Sequence, residues 1–164
     1  LIEDHIGNGE KFNLKISYSR EEEILGTGGA LIKAKDLIGT DTFLILSGDL
    51  WTDYPFSRLI NYDSKKKAHL ILLKKGKEKE ADMNLKNDYI FVDKNSKELT
   101  YSGIGLINPK IYEGIKVDQL QLWKDLLLPL ASKQEISGEV YNGLALNINL
   151  KKDLEELDVA ISEG

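Results

Sequence analysis

Asp49 is the residue whose type and setting most invite chemistry. It ends the stretch Thr42-Phe43-Leu44-Ile45-Leu46-Ser47-Gly48-Asp49, in which a short apolar run stops abruptly at Ser-Gly-Asp. Such runs read as buried strands, and open α/β sheets carry their ligand chemistry just past the strand carboxyl ends. Gly48 is expected to let the backbone turn sharply, and Asp49 to project a carboxylate that can hold a divalent cation against a phosphorylated substrate. Upstream, Leu25-Gly26-Thr27-Gly28-Gly29-Ala30 is a glycine-rich entry to a helix. Helix N-terminal amides there could cradle phosphate, and glycine would let a flat base lie close to the backbone. The segment is neither a P-loop, since no Gly-Lys-Ser/Thr follows, nor a dinucleotide fingerprint, and a plain tight turn accounts for it equally well. Asp53, ahead of Tyr54-Pro55, reads as a helix N-cap. Trp123 reads as core and Trp51 as packing or a crevice wall. His5 and His69 have no Glu or His at ligand spacing and read as surface or packing residues.

The elements that must position these residues alternate early in the chain. Leu14-Lys15-Ile16-Ser17-Tyr18 alternates as a half-buried strand does. Gly28 to Ile38 reads as a helix with Leu31, Ala34, Leu37 and Ile38 on one face and Gly39 as its stop. Phe43 to Leu46 reads as a buried strand, Phe56 to about Ser64 as a helix, and Ala68 to Leu73 as another buried strand. Gly76 to Glu80 reads as a loop. Tyr89 to Val92 and Leu99 to Ile107 read as strands joined by a turn over residues 93–97. Pro109 opens a short helical turn, Leu120 to Ala131 forms a helix that Pro129 should bend, and Val140-Tyr141 and Leu144 to Ile148 are strand-like. Lys151 to Ile161 closes the chain as a helix. The expectation is one α/β domain over residues 1–164 with a mixed sheet.

Composition bounds the function. The chain has 164 residues, 41% of them hydrophobic and 30% charged, with a formal net charge of -5. No basic face stands out, so nucleic acid is not an expected partner. No apolar run approaches the roughly 20 residues a membrane span needs, and no signal peptide is visible. The absence of cysteine excludes disulfides, thiolate metal sites and a cysteine nucleophile, and suits a cytoplasmic setting. The opening Leu1-Ile2-Glu3-Asp4-His5-Ile6-Gly7 reads as the last turns of a helix, from which we expect that an N-terminal portion is missing.

Taken in order, these motifs resemble the sugar-1-phosphate nucleotidyltransferases, with most similarity to the N-acetylmuramate α-1-phosphate uridylyltransferase and mannose-1-phosphate guanylyltransferase-like group. The resemblance runs from Ile2-Glu3-Asp4-His5-Ile6-Gly7-Asn8-Gly9 through Ile16-Ser17-Tyr18-Ser19, Leu25-Gly26-Thr27-Gly28-Gly29, Gly48-Asp49-Leu50-Trp51-Thr52-Asp53 and Leu99-Thr100-Tyr101-Ser102-Gly103-Ile104. Ser137-Gly138-Glu139 and Tyr141 extend it. It implies a Rossmann-like α/β/α sandwich with a mixed, mostly parallel sheet of the nucleotide-diphospho-sugar transferase type. The implied reaction joins a nucleoside triphosphate to a sugar 1-phosphate and releases pyrophosphate, with magnesium (Mg2+) bridging the phosphates. Asp49 matches the first metal-binding aspartate, and Thr27, Gly28 and Gly29 the base-contacting loop. Asp82, Ser102 and Gly103 match the sugar side.

Two departures matter. The family's opening strand, glycine-rich signature loop and Pro-Lys-Pro segment have no counterpart, so the resemblance implies an N-terminally truncated domain, self-associating through the face this leaves uncovered. Asn147 also stands where the family has its second metal-binding aspartate. An amide can ligate magnesium but supplies no charge. The rival expectation is a non-catalytic nucleotide- or sugar-binding paralogue, or an inactive remnant.

Overall fold

The computed structural model describes residues 1–63, 65–75, 81–93, 95 and 97–162. The expected loop over Gly76–Glu80, and positions 94 and 96 of the expected 93–97 turn, lie outside these. Helices are α1 (Ile2–Ile6), α2 (Gly26–Lys33), α3 (Lys35–Ile38), α4 (Ser57–Ile60), α5 (Leu128–Ala131) and α6 (Lys151–Ser162). Strands are β1 (Phe43–Leu46), β2 (Leu50–Thr52), β3 (Ala68–Lys74), β4 (Asn84–Lys86), β5 (Tyr89–Phe91), β6 (Leu99–Ile107), β7 (Ile136–Tyr141) and β8 (Ala145–Asn147). None of the described helices is long and apolar enough to cross a membrane.

Six strands form one sheet in the order β1-β6-β3-β7-β5-β4, while β2 and β8 pair in a small sheet of their own. The large sheet is mixed, yet mostly antiparallel, which corrects the expectation of a mostly parallel one. Pairs β1–β6, β3–β6, β4–β5 and β5–β7 are antiparallel, and β3–β7 is parallel. The apolar runs misled because they report burial on both faces, and that property carries no strand direction. β6, flanked by β1 and β3, is as continuously buried as a parallel strand would be.

Both faces of β3 are covered, which is why its burial does not alternate. On one side Leu70 and Leu72 pack with Leu31 and Ile32 of α2, with Ala131 of α5, and with Leu122, Leu126 and Leu127 of a π-helical turn at Leu122–Leu127. On the other, Ile71 joins Ile104, Leu106, Tyr54 and Leu59. The expected helix over Leu120–Ala131 is therefore two pieces, and Pro129 sits at the start of the second. The two pieces are continuous, so Pro129 withholds one helical N–H donor just where the hydrogen bonding changes from π to α.

Two further expectations change. Leu14–Tyr18 forms no strand; the Ile16 amide bonds Asn8 O at 2.9 Å, and none of the described strands completes a ladder with it. β1 is an edge strand with alternating burial rather than a buried one, and Leu44 and Leu46 are 39% and 49% exposed. One edge pairs with β6 and the other pairs with no described strand.

His69 is the buried polar residue of β3. Its Nδ1 lies 2.9 Å from the Ser137 hydroxyl, and its ring stacks on Tyr62 with centroids 4.0 Å apart. Burial pushes its pKa down, against weaker upward pulls from Glu139 and Asp88. The unfolded chain, with an imidazole pKa of about 6.5, then binds the extra proton first. Stability from this site is full above about pH 6.5 and is lost as the pH falls toward the lower folded value. Thermal melts of wild type and His69→Phe should show wild type losing more stability between pH 7 and pH 5. Parallel losses in the two proteins would remove His69 from the acid response.

Candidate functional site

Asp49 lies three residues beyond β1, in a turn that leads into β2, and its side chain is exposed. The turn is held from β6. Ser47 N–H donates to Gly103 O at 2.9 Å, and Gly103 has φ of 90°. A Cβ at Gly103 would fall 2.4 Å from Ser47 Oγ, so only glycine allows this approach. The β3–β6 register shifts at this point, between Leu70 and Leu72, forming an irregular bulge. The buried Ser102 hydroxyl accepts from Ile104 N–H at 3.1 Å across it. Gly48, expected to supply the unusual backbone, has no positive φ; that conformation sits in its neighbour Gly103.

β8 brings Asn147 alongside. Leu50 pairs with Asn147, and one step further Ile148 N–H donates to Asp49 O at 2.7 Å. Asp49 and Asn147 thus stand diagonally across a two-stranded ladder, both exposed. Asp49 belongs to the turn, so the pleat's alternation does not assign its face. Asp82 is half-buried at the start of β6, where its Oδ2 accepts from the Thr100 hydroxyl at 2.9 Å and its N–H bonds Leu99 O. β6 runs antiparallel to β1 and β3. The start of β6 and the carboxyl ends of β1 and β3 therefore share one end of the sheet, which collects Asp49, Asp82, Ser102 and Gly103.

Thr27, Gly28 and Gly29 are anchored elsewhere, against the segment 118–122. Gly28 and Gly29 N–H both bond Leu120 O, at 2.8 and 3.2 Å, and Leu120 N–H returns to Leu25 O at 2.8 Å. The Thr27 hydroxyl accepts from Leu122 N–H at 2.9 Å. The glycines let α2 approach another backbone, and their amides already have acceptors. Thr27 is exposed, and its hydroxyl keeps a proton to donate.

Two polar pairs at this end were not singled out in the sequence. Glu139 of β7 accepts from the buried Tyr54 hydroxyl at 2.7 Å, and burial together with that carboxylate pushes the Tyr54 pKa up. A charged residue inside an otherwise apolar strand was the available signal. Asp53, expected as an N-cap, instead accepts from Leu144 N–H at 2.8 Å and from the Tyr141 hydroxyl. α4 starts after Phe56 with no side-chain cap.

No three His, Cys, Asp or Glu side chains among the described residues cluster as a metal site. The donors available for magnesium are one carboxylate, Asp49, and one amide, Asn147. That set fits an ion shared with substrate phosphates and water, since magnesium often takes only one or two protein carboxylates. A separate concavity of about 920 Å³ between α3 and residues 109–117 lies at the other end of β1.

The family model described as nucleotidyl transferase matches residues 1–84, just over half of the chain. Among curated proteins, the chain is 28% identical over 163 residues to an N-acetylmuramate alpha-1-phosphate uridylyltransferase of Neisseria meningitidis, covering 94% of this chain and 71% of that protein. It is 27% identical over 158 residues to the mannose-1-phosphate guanylyltransferase catalytic subunit beta of Drosophila pseudoobscura pseudoobscura, covering 88% of this chain but 42% of that protein. The chain therefore spans less than half the length of that second relative. Among solved structures, HddC from Yersinia pseudotuberculosis complexed with GMP-PN superposes with a TM-score of 0.76 at 19% identity, over 98% of this chain and 73% of that one. At that identity the likeness shows a shared fold, and sequence matches at 28% and 27% identity single out no particular relative. With the family model covering residues on both sides of the Asp49 turn, the chain belongs to the nucleotidyl transferase family.

Proposed function

We propose that the sheet end around Asp49 serves nucleotidyl transfer from a nucleoside triphosphate to a sugar 1-phosphate, giving a nucleotide sugar and pyrophosphate. The observation that carries this reading is the Ser47-Gly48-Asp49 turn at the carboxyl end of β1, with β8 hydrogen-bonded to it, in a chain of this family. A sugar phosphate oxygen would attack the α-phosphorus in line as the bond to the pyrophosphate oxygen breaks. Catalysis of that kind is mostly positioning and charge neutralisation. Magnesium, when bound, would neutralise phosphate charge between the reactants, held by the Asp49 carboxylate and the Asn147 carbonyl oxygen. Thr27 would present its hydroxyl to the base, with Gly28 and Gly29 keeping the segment flat. Asp82, Ser102 and Gly103 would form the sugar side, Asp82 directly and the other two by shaping the bulge. The reading places the protein in the cytoplasm, where nucleoside triphosphates are available.

The edge of β1 that pairs with no described strand, with Leu44 and Leu46 exposed, supports two linked parts of the proposal. A strand and loop like the family's opening ones would fit along it. Without them, the same edge is the surface through which the chain would self-associate.

Asn147 favours the second reading, a nucleotide- or sugar-binding paralogue that does not turn over, because one of two expected carboxylates is absent. The substitution Asn147→Asp tests whether that position serves the metal. It should tighten Mg2+-dependent nucleoside triphosphate binding by about tenfold and, with no metal, lower stability slightly through repulsion from Asp49. Titration calorimetry and melts with and without Mg2+ check both effects. Equal metal-dependent affinity in the two proteins would place Asn147 outside the metal's reach.

A further inference from the structure

We propose that Asp53 is a positioning residue whose single carboxylate oxygen sets the register of β8 against β2, and so holds Asn147 next to Asp49. The β2–β8 ladder has three residue pairs, Leu50–Asn147, Trp51–Leu146 and Thr52–Ala145. A two-stranded ladder of that length is marginal alone, and a one-residue slip would turn Asn147 to the opposite face. Leu144, the residue just before β8, is gripped on both its backbone groups. Its N–H donates to Asp53 Oδ1 at 2.8 Å. Its carbonyl accepts from the Thr52 hydroxyl at 2.9 Å and from Asp53 N–H at 3.2 Å. The same Asp53 Oδ1 also accepts from the Tyr141 hydroxyl, tying the end of β7 to this point. Tyr141 in turn meets the buried Tyr54 ring edge-on, with centroids 5.0 Å apart, which anchors the clamp to the core. Residues 142–144 alone separate the end of β7 from the start of β8, so a fixed Leu144 leaves little freedom for slip.

Both bonds converge on one acceptor oxygen, so the clamp requires a carbonyl-like oxygen and not a negative charge. Asp53→Asn preserves that oxygen, whereas Asp53→Ala removes it. Tyr141→Phe removes one donor with no change in charge. The inference rests on the proposed metal and nucleotide site for its consequence, though not for its geometry. Two measurements on the purified chain keep these apart: amide hydrogen exchange at Leu144 and Ile148, and Mn2+ affinity by electron paramagnetic resonance with inorganic triphosphate present. Asp53→Ala should speed exchange at both amides by at least about tenfold, Tyr141→Phe by less, and Asp53→Asn hardly at all. Mn2+ affinity should fall several-fold in Asp53→Ala and Tyr141→Phe and stay near wild type in Asp53→Asn. If Asp53→Asn loses affinity as fully as Asp53→Ala while Tyr141→Phe keeps it, Asp53 acts through its charge and the proposal fails. Unchanged exchange in all three variants also overturns it. Absent Mn2+ binding in wild type would count against the proposed site alone, leaving exchange to decide the clamp.

Discussion

Gly29→Ala should lower stability by about 3 kcal/mol or more, a fall in melting temperature of roughly 10 °C for a chain of this size. A Cβ built at Gly29 falls 2.1 Å from Asp118 O and 2.9 Å from Leu25 Cβ. The clashing atom is a backbone carbonyl in a segment pinned by Leu120 N–H to Leu25 O and by Leu122 N–H to Thr27. It cannot swing aside as the tip of a flexible side chain could. To admit the methyl group, α2 must back away and loosen Leu31 and Ile32 from the core. Gly48→Ala is the control, because nothing lies within 4 Å of its Cβ position and its φ is not positive. It should change stability by no more than about 0.5 kcal/mol. Denaturant melts of both variants measure this, and a Gly29→Ala protein as stable as wild type would contradict the close packing of α2 on residues 118–122.

Asp49→Ala should weaken Mg2+-dependent nucleoside triphosphate binding by more than about tenfold while leaving the fold intact. Asp49 is the one carboxylate of the proposed donor pair, and a dication held by one protein charge depends heavily on it. The side chain is exposed, so its removal opens no core cavity, and the Asp49 backbone bond to Ile148 N–H is kept. Affinity and stability are thereby separable in one variant. Titration calorimetry with Mg2+ and each of the four common ribonucleoside triphosphates, alongside a melt, gives both quantities. Binding as tight in Asp49→Ala as in wild type would move the site away from this turn.

Much of the architecture was legible because burial writes itself into short stretches. β3 is largely an apolar run, α3 ends at the positive-φ Gly39, and Asp49 follows its strand by the spacing the run suggests, although the expected helix Gly28–Ile38 divides into α2 and α3 at Ala34. Strand direction was not legible. Leu99–Ile107 is buried because layers cover it on both faces, and that would hold whichever way it ran. Alternation in Leu14–Tyr18 was real but insufficient, because a strand exists only where a neighbour completes its hydrogen bonds. β8 was visible within the strand-like Leu144–Ile148, whereas β2 is too short to rise above the background of turns.

The site shows the same division. The place of Asp49 after β1 could be read from local sequence because it depends on what immediately precedes it. Asp53 could not, since its partners Tyr141 and Leu144 are 88 and 91 residues away, and a local reading saw only Tyr54-Pro55 ahead of a helix. Whether Gly28 and Gly29 serve a ligand or a plain tight turn was left open for the same reason. Their amides are directed at Leu120, in a segment that nothing nearby in the chain foretells.

The central claim, that a divalent cation and a triphosphate meet at the turn after β1, is tested most directly by paramagnetic broadening. Mn2+ is titrated in substoichiometric amounts into isotope-labelled protein with a nucleoside triphosphate, and backbone amide signals are followed residue by residue. The account predicts that Gly48, Asp49 and Ile148 broaden first, with Asn147 among them, and that Asp49→Ala abolishes the effect. Broadening centred on the acidic run Glu21-Glu22-Glu23, or spread evenly over surface carboxylates with the 47–50 turn unaffected, would contradict it.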